Sequence, residues 1–178
     1  MQYPLKGLKD VRKSHGLPPV EKWNPPYCGE LDIHIKRDGS WFYMSTPIGR
    51  PELVRLFSTI LWLEDDSYFL VTPVEKVKIK VDGVPFLAND FDHIDGDLHF
   101  TTLTSDTMIA GSDHPIKVTI GDNGEPAPYI KVRRNLWALI DRKNFYRLVD
   151  LGETQDDMFG IRSQGQFFPI IEASKLKF

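Results

Sequence analysis

Short runs of alternating apolar and polar residues, each closed by an acidic or glycine-containing turn, dominate this chain. No other feature constrains the fold as much. Period-two alternation puts one face of a strand in a core, and a tight turn makes the next strand its antiparallel neighbour. ELDIHIKR and SWFYMS flank Asp38-Gly39, ILWLE and SYFLVT flank Asp65-Asp66, and MFGIRS and QFFPII flank Gln164-Gly165. PFLANDFDHI and DLHFTT pair around Asp95-Gly96. EKVKIKV turns Val77, Ile79 and Val81 one way and Lys76, Lys78 and Lys80 the other, before a turn at Asp82-Gly83. DTMIAG, HPIKVTI, PAPYIKVRR and LWALI add further strands, with a turn over Gly121–Gly124. The ILWLE/SYFLVT pair is apolar on both faces and is expected to be central, whereas lysines on EKVKIKV suit a solvated edge.

Two segments break the pattern with helical spacing. In TPIGRPELVRLFSTI, Pro51 suits the first helical position, and Leu53, Leu56, Phe57 and Ile60 recur on one face. In DRKNFYRLVDLG, Asp141 is a candidate N-cap and Gly152 a stop. IGRPELVRLF (48–57) and IDRKNFYRLV (140–149) share Ile, Arg, Arg and Leu in the same columns, 92 residues apart. Strands flank both. This predicts an α+β fold of two similar halves from an internal duplication, 1–83 and 84–178, mostly antiparallel, with one short helix each. Halves of this size are small for independent cores, so they are expected to pack together and leave a crevice between them.

The 178 residues carry 22 Lys+Arg against 25 Asp+Glu, a net charge of −3, so no basic footprint for duplex nucleic acid is present. One cysteine allows no internal disulfide. No apolar run reaches membrane-spanning length, and the first ten residues lack a signal-peptide core, so a cytoplasmic protein with no membrane partner is expected.

Chemistry-bearing residues fall in few places. A two-residue turn at Asp38-Gly39 would pair Ile35 with Phe42 and Ile33 with Met44 on the core face. Trp41 and Tyr43 would then sit on the other face, to be covered or to bind. The proline-punctuated arm GLPPVEKWNPPYCG, with Trp23 and Tyr27 as anchors, needs a surface to lie on. Arg50 and Arg142 each open a helix, where a guanidinium can join free amides around an oxyanion or form a buried ion pair. Asp92 faces His99, with Asp90 and Asp97 on the same side. Period-two alternation explains that pattern without a metal, and none is expected. Cys28 lies near no group that would activate a thiol, and His114 beside Pro115 reads as structural. The hydrolase, zincin and nucleotide-loop motifs GxSxG, HExxH, GxxxxGK[ST] and GxGxxG are absent, so no catalytic residue is assigned.

WNPPYCG, DGSWFYMSTPIGRPELVRLFS, YFLVTPVEK, DHPIKV and PYIKVRRNLWALIDRKNFYRLV, in that order, resemble the bacterial domain-of-unknown-function 1285 family over about Pro18 to Phe168. Where the family has a Thr-Asn pair before an Asp, this chain has Leu103 and Thr104 in TTLTSD. The resemblance implies a duplicated α+β fold whose C-terminal half is similar to pleckstrin-homology-like domains. It also implies an interface site suited to a nucleotide-like ligand, a setting in signal transduction, and no enzymatic activity. The functional expectation is therefore a non-enzymatic protein binding an anionic, aromatic small molecule, with no cofactor. Trp23, Trp41, Tyr43 or Trp137 would stack a base. Arg50, Arg133 and Arg142 would hold phosphate or carboxylate oxygens, and Asn24 or Glu75 would read the base edge. A protein–protein adaptor using the same crevice, with a signalling protein as partner, and a metal-dependent enzyme are the alternatives.

Overall fold

Three-stranded antiparallel meanders are the repeating unit of the molecule. The structure, a computed structural model, describes residues 3–13 and 15–176. Among them lie five meanders. The first is β1 (Tyr27–Ile35), β2 (Trp41–Tyr43) and β3 (Thr46–Pro47), and the second is β4 (Leu61–Glu64), β5 (Ser67–Val71) and β6 (Lys76–Val81). The third is β7 (Phe86–Ile94), β8 (Asp97–Thr102) and β9 (Thr107–Ile109). The fourth is β10 (Ile116–Ile120), β11 (Pro126–Arg133) and β12 (Leu136–Ile140), and the fifth is β13 (Glu153–Gln155), β14 (Met158–Ser163) and β15 (Gln166–Glu172). The short α1 (Leu8–Val11) precedes them, α2 (Pro51–Thr59) joins the first two, and α3 (Arg142–Asp150) joins the last two.

One rule assembles these meanders. The first strand of one lies beside the last strand of the next. β1 pairs parallel with β6, β7 pairs parallel with β12, and β10 lies against β15 without a hydrogen-bonded ladder. Parallel neighbours need a long crossover, and the intervening strands with α2 supply it in the first case. The result is two similar six-stranded sheets, ordered β3-β2-β1-β6-β5-β4 and β9-β8-β7-β12-β11-β10, followed by the three-stranded sheet β13-β14-β15. The chain is thus a duplicated, mostly antiparallel α+β protein. It divides into two compact units, Met1–Gly83 and Val84–Phe178.

The helices occupy equivalent places: meander, helix, meander. Their register differs from the sequence match by one residue. The helix starts Pro51 and Arg142 are 91 residues apart, not 92. So are the turns Asp65-Asp66 and Asp156-Asp157, all four residues with positive φ (47°, 62°, 48° and 65°). Arg50 therefore corresponds to Asp141, not to Arg142.

In the first unit Ile33, Ile35, Trp41, Phe57, Ile60, Leu61 and Leu70 are buried; in the second, Phe91, Leu98, Phe100, Ile130, Ile140 and Leu148 are. Phe91 and Phe100 pair across β7 and β8 with ring centroids 5.4 Å apart, both turned inward as the alternation predicts. Asp95 (φ 52°) and Gly96 (φ 86°) close that hairpin as a two-residue turn, which sets the register.

Four expectations need correcting. β6 is central, between β1 and β5, because its parallel partner is remote in sequence; Lys76 there bridges to Glu64 at 2.6 Å and stands 4.7 Å over the Phe69 ring. β4, expected to be central, is an edge strand. β13 falls in a segment with no apolar alternation. Gly152 is needed for space rather than for a left-handed cap, since the Phe159 ring occupies the place of a Cβ.

The fifth correction bears on the site. Asp38-Gly39 does not form a two-residue turn. Gly39 N–H bonds to the Lys36 carbonyl and Lys36 N–H to the Ser40 carbonyl, both at 2.9 Å, so Arg37, Asp38 and Gly39 (φ 84°) form a three-residue loop with a bulge. The added residue slips the register to Ile35↔Trp41 and Ile33↔Tyr43. A one-residue slip moves every side chain of β2 to the opposite face. Trp41 and Tyr43 thus join the core face with Ile33 and Ile35, and Phe42 turns out, beneath the Lys36 ammonium at 4.1 Å.

Candidate functional site

Trp41 is only 3% exposed and stacks on Phe57, with centroids 6.3 Å apart and planes 23° from parallel. It has no face for a ligand; its Nε1 is buried and meets no acceptor among the described residues. Tyr43 is half-buried against Tyr3, at 4.9 Å, and Tyr3 also meets the edge of Phe57 at 5.4 Å. The N-terminal segment thus covers this surface. The arm runs elsewhere: Pro26 accepts from Lys76 N–H at 3.2 Å, and Tyr27 packs edge-on to Phe69 at 6.1 Å. Trp23 is half-buried at the end of a single 3-10 turn, and Asn24 after it is exposed.

The N-terminal segment and α2 bound a groove of about 1550 Å³. Lys6, Lys9, Arg12, Lys13 and Arg50 line it, against two carboxylates, Asp10 and Glu52. Lys9, Arg12 and Lys13 are spaced to share one face of α1 and its continuation. Lys13 is partly neutralised by Asp10 at 3.5 Å. Arg50 caps α2 from an extended conformation (φ −107°) without a side-chain capping bond, and its exposed guanidinium has no partner among the described residues. The buried-ion-pair alternative fails for this residue. The helix amides contribute less than expected. Pro51 has no N–H, and Leu53 N–H is satisfied by the Arg50 carbonyl at 3.1 Å. Five cations against two carboxylates, rather than an open helix end, make this groove favourable to anions. Tyr3 and Leu53 supply apolar wall.

Glu75 does not line this groove, and one of its carboxylate oxygens is engaged. Its Oε2 accepts from Lys6 N–H at 2.7 Å, tying the N-terminal segment to the β5–β6 turn. Thr72 Oγ1 in the same turn donates to the Lys6 carbonyl at 2.7 Å.

The remaining predicted residues belong to the second unit and are engaged there. Arg133 is an ion pair with Asp106 at 2.6 Å, both largely buried, and lies 5.0 Å over the Phe86 ring. Asp106 also accepts from Thr102 and Thr104, which makes TTLTSD a structural knot at the β8–β9 turn. Trp137 is half-buried, with the Lys117 ammonium 4.0 Å over its ring. Arg142 donates to the Tyr146 hydroxyl at 3.1 Å and lies 3.5 Å from Glu125; the Tyr146 bond, then these charges, raise its pKa.

Asp92 pairs with His99 across β7 and β8, as the register requires. Asp90 is drawn away to Arg147 at 2.7 Å, and Asp97 accepts from Gln164 N–H at 2.7 Å. Among the described residues no group of three or more His, Cys, Asp or Glu side chains is arranged to hold a metal. His114 Nδ1 lies 2.9 Å from the Lys131 carbonyl, a loop anchor. Cys28 is exposed, its thiol directed at the Pro26 carbonyl at 3.3 Å. Tyr3 and the N-terminal cations carry little local signal in the sequence. Their one signal is the basic spacing of Lys6, Lys9, Arg12 and Lys13 around LKDVRK.

Fold and groove together define a protein of repeated meanders with a cationic cleft beside its first full helix. Models of the DUF1285 N-terminal and C-terminal domains, both of unknown function, match residues 18–84 and 85–170. The chain belongs to the DUF1285 family. It is similar to the crystal structure of a DUF1285 family protein from Silicibacter pomeroyi DSS-3, at 50% identity and a TM-score of 0.88, with 96% of this chain and 98% of that one covered. A second relative, from Shewanella baltica OS155, is 29% identical with a TM-score of 0.54, covering 67% of this chain and 91% of its own. No curated protein matches the chain.

Proposed function

We propose that this chain is a non-enzymatic, cytoplasmic ligand-binding protein that holds a nucleotide-like anionic small molecule in the groove between its N-terminal segment and α2. The observation that carries this reading is the exposed Arg50 guanidinium, free of any partner among the described residues, in a groove lined by four further cations and two carboxylates in a chain of net charge −3. An unpaired arginine fork matches a phosphate or carboxylate through two parallel bonds. The groove exceeds the roughly 300–1,000 Å³ of ordinary small-molecule sites, so a nucleotide fits within it. Tyr3, backed by Tyr43 and Phe57, offers an aromatic surface at its wall. No helix among the described residues is long and apolar enough to cross a membrane. Signal transduction is the setting that the family resemblance implies for such binding.

A thermal-shift panel of nucleotides and inorganic pyrophosphate tests the reading. A ligand at 100 times its Kd adds about 2.7 kcal/mol to stability. Arg50→Ala should weaken binding by more than about 1.5 kcal/mol, as expected for a charged hydrogen bond, with the fold unchanged. Arg50→Lys should restore little, since an ammonium lacks the planar fork. A panel with no shift, or an Arg50→Ala variant that binds as tightly as the parent, defeats the proposal.

A further inference from the structure

The groove has one wall built into the sheet domain and one wall that is only laid against it. Arg50, Leu53 and Leu56 stand on or beside α2, which is anchored by the fully buried Phe57. The other wall is the segment from Tyr3 to Lys13, and it carries four of the five groove cations. This segment lies ahead of residue 18, where the match to the family's N-terminal domain begins.

Its attachments are few and specific. Leu5 and Val11 are buried, and Tyr3 packs on Tyr43 and Phe57. Between them Lys6 is clamped at both ends of its backbone: its N–H to the Glu75 carboxylate and its carbonyl to Thr72 Oγ1, each at 2.7 Å. Thr72 is wholly buried, and its hydroxyl also receives Glu75 N–H at 3.1 Å, so the clamp is part of a tight turn. The next residue, Gly7, has φ +81°, and a Cβ there would come within 2.9 Å of Thr72 Oγ1 and Val74. Only glycine lets the chain press this close and turn into α1.

We propose that Tyr3–Lys13 is a ligand-locked strap, docked through the Lys6–Glu75 bond and fixed there by a phosphoryl-bearing anion that bridges its cations and Arg50. The inference rests on the anion-binding reading above and names the control of that site. Glu75 does not line the groove; it acts through Lys6 as a positioning residue. A ligand that touches both walls binds only the docked strap, so its apparent affinity falls with the docked fraction. Reciprocally, the ligand must favour docking by the same factor. A polyphosphate suits a groove with cations on both walls because its charge is shared over more than one phosphoryl group.

The test titrates inorganic pyrophosphate into the full chain and follows amide hydrogen exchange over residues 5–11. Glu75→Ala should weaken pyrophosphate binding by about tenfold, within the usual range of coupling between sites. Glu75→Gln should restore most of it, because the amide oxygen still accepts from Lys6 N–H. Pyrophosphate should slow exchange at Lys6 by at least about tenfold in the parent, and Arg50→Ala should abolish that slowing. ADP run alongside separates a nucleotide from a free polyphosphate, either being consistent with the strap. No pyrophosphate or ADP binding to the parent sinks the groove reading and the strap together. Equal affinity in the parent and Glu75→Ala, or unchanged Lys6 exchange on saturation, overturns the strap alone. Should Glu75→Ala fail to fold, the Gln variant and the Lys6 exchange decide.

Discussion

The two meander–helix–meander segments follow one plan and finish their helices in opposite ways. At the start of α3, Asp141 accepts from Asn144 N–H at 2.9 Å and from its side chain at 2.8 Å. Asn144 is fully buried and passes the contact on to Arg147 at 2.6 Å, which reaches Asp90 and the Phe91 carbonyl on β7. Arg142 is spent on Tyr146 and Glu125. At the start of α2, the residue in Asp141's place is Arg50, with no capping bond and no ion pair among the described residues. The same backbone arrangement is closed by its own side chains in one unit and left cationic and open in the other. A helix start is a strut when a short acceptor side chain occupies its N-cap, and a candidate site when a long cation does.

The largest effects should separate the two helices by what each supports. Phe57→Ala and Leu148→Ala both empty wholly buried positions, and each should cost about 2–5 kcal/mol by denaturant unfolding. Only Phe57→Ala should also weaken pyrophosphate binding, because Tyr3 rests on that ring. Equal loss of binding in both variants would erase the distinction between an open and a closed helix start.

A smaller effect, of opposite sign at the two N-caps, sharpens it. Asp141→Ala should destabilise by about 1–2 kcal/mol, the usual cost of a lost cap, and leave binding alone. Arg50→Ser should hold or raise stability, because serine can cap the α2 amides, and should weaken binding as much as Arg50→Ala does. Unfolding midpoints and pyrophosphate titrations on both variants check the pair. A destabilised Arg50→Ser would show that the guanidinium holds the fold.

How far these features were legible in the sequence depends on the range of the interaction. Asp95-Gly96 and Asp141 were readable because a two-residue turn and an N-cap are decided by neighbours within four residues. Asp38-Gly39 uses the same dipeptide as Asp95-Gly96, yet Arg37 joins it in a three-residue loop closed by the Lys36–Ser40 pair, and that single residue sends Trp41 inward. The central place of β6 was not readable, since its neighbour β1 is set by a parallel pairing between remote segments. Arg50 was readable as a site candidate from its position before Pro51. Its companions were not, because Lys6 and Tyr3 gain their meaning only from contacts with Glu75, Tyr43 and Phe57. Glu75, Arg133 and Arg142 have the right chemistry for a site, but each is already satisfied by the chain itself.

The smallest expected effect concerns the arginine that ties α3 to its sheet. Arg147 stands 4.2 Å over the Phe91 ring and bonds Asp90 at 2.7 Å, whereas the exposed Arg55 of α2 has no such partner among the described residues. The Arg147 hydrogen bond, ahead of the Phe91 backbone bond, holds the Asp90 carboxyl below its usual value of 3.8. A carboxylate with a depressed pKa binds its proton less readily folded than unfolded. Its contribution to stability is therefore complete above pH 3.8 and is lost as the pH falls through the lower folded value. Asp90→Asn should flatten the acid limb of the stability curve below pH 3.8 and leave the neutral region nearly level. The change is small, because Asp90 and Arg147 are both partly exposed, and added salt should shrink it further. Acid unfolding of the parent and Asp90→Asn at two salt concentrations measures it. A variant whose acid limb matches the parent's would mean that α3 is held by Asn144 and the Phe91 contacts alone. Its closed start would then owe nothing to charge, and the contrast with Arg50 would rest on capping.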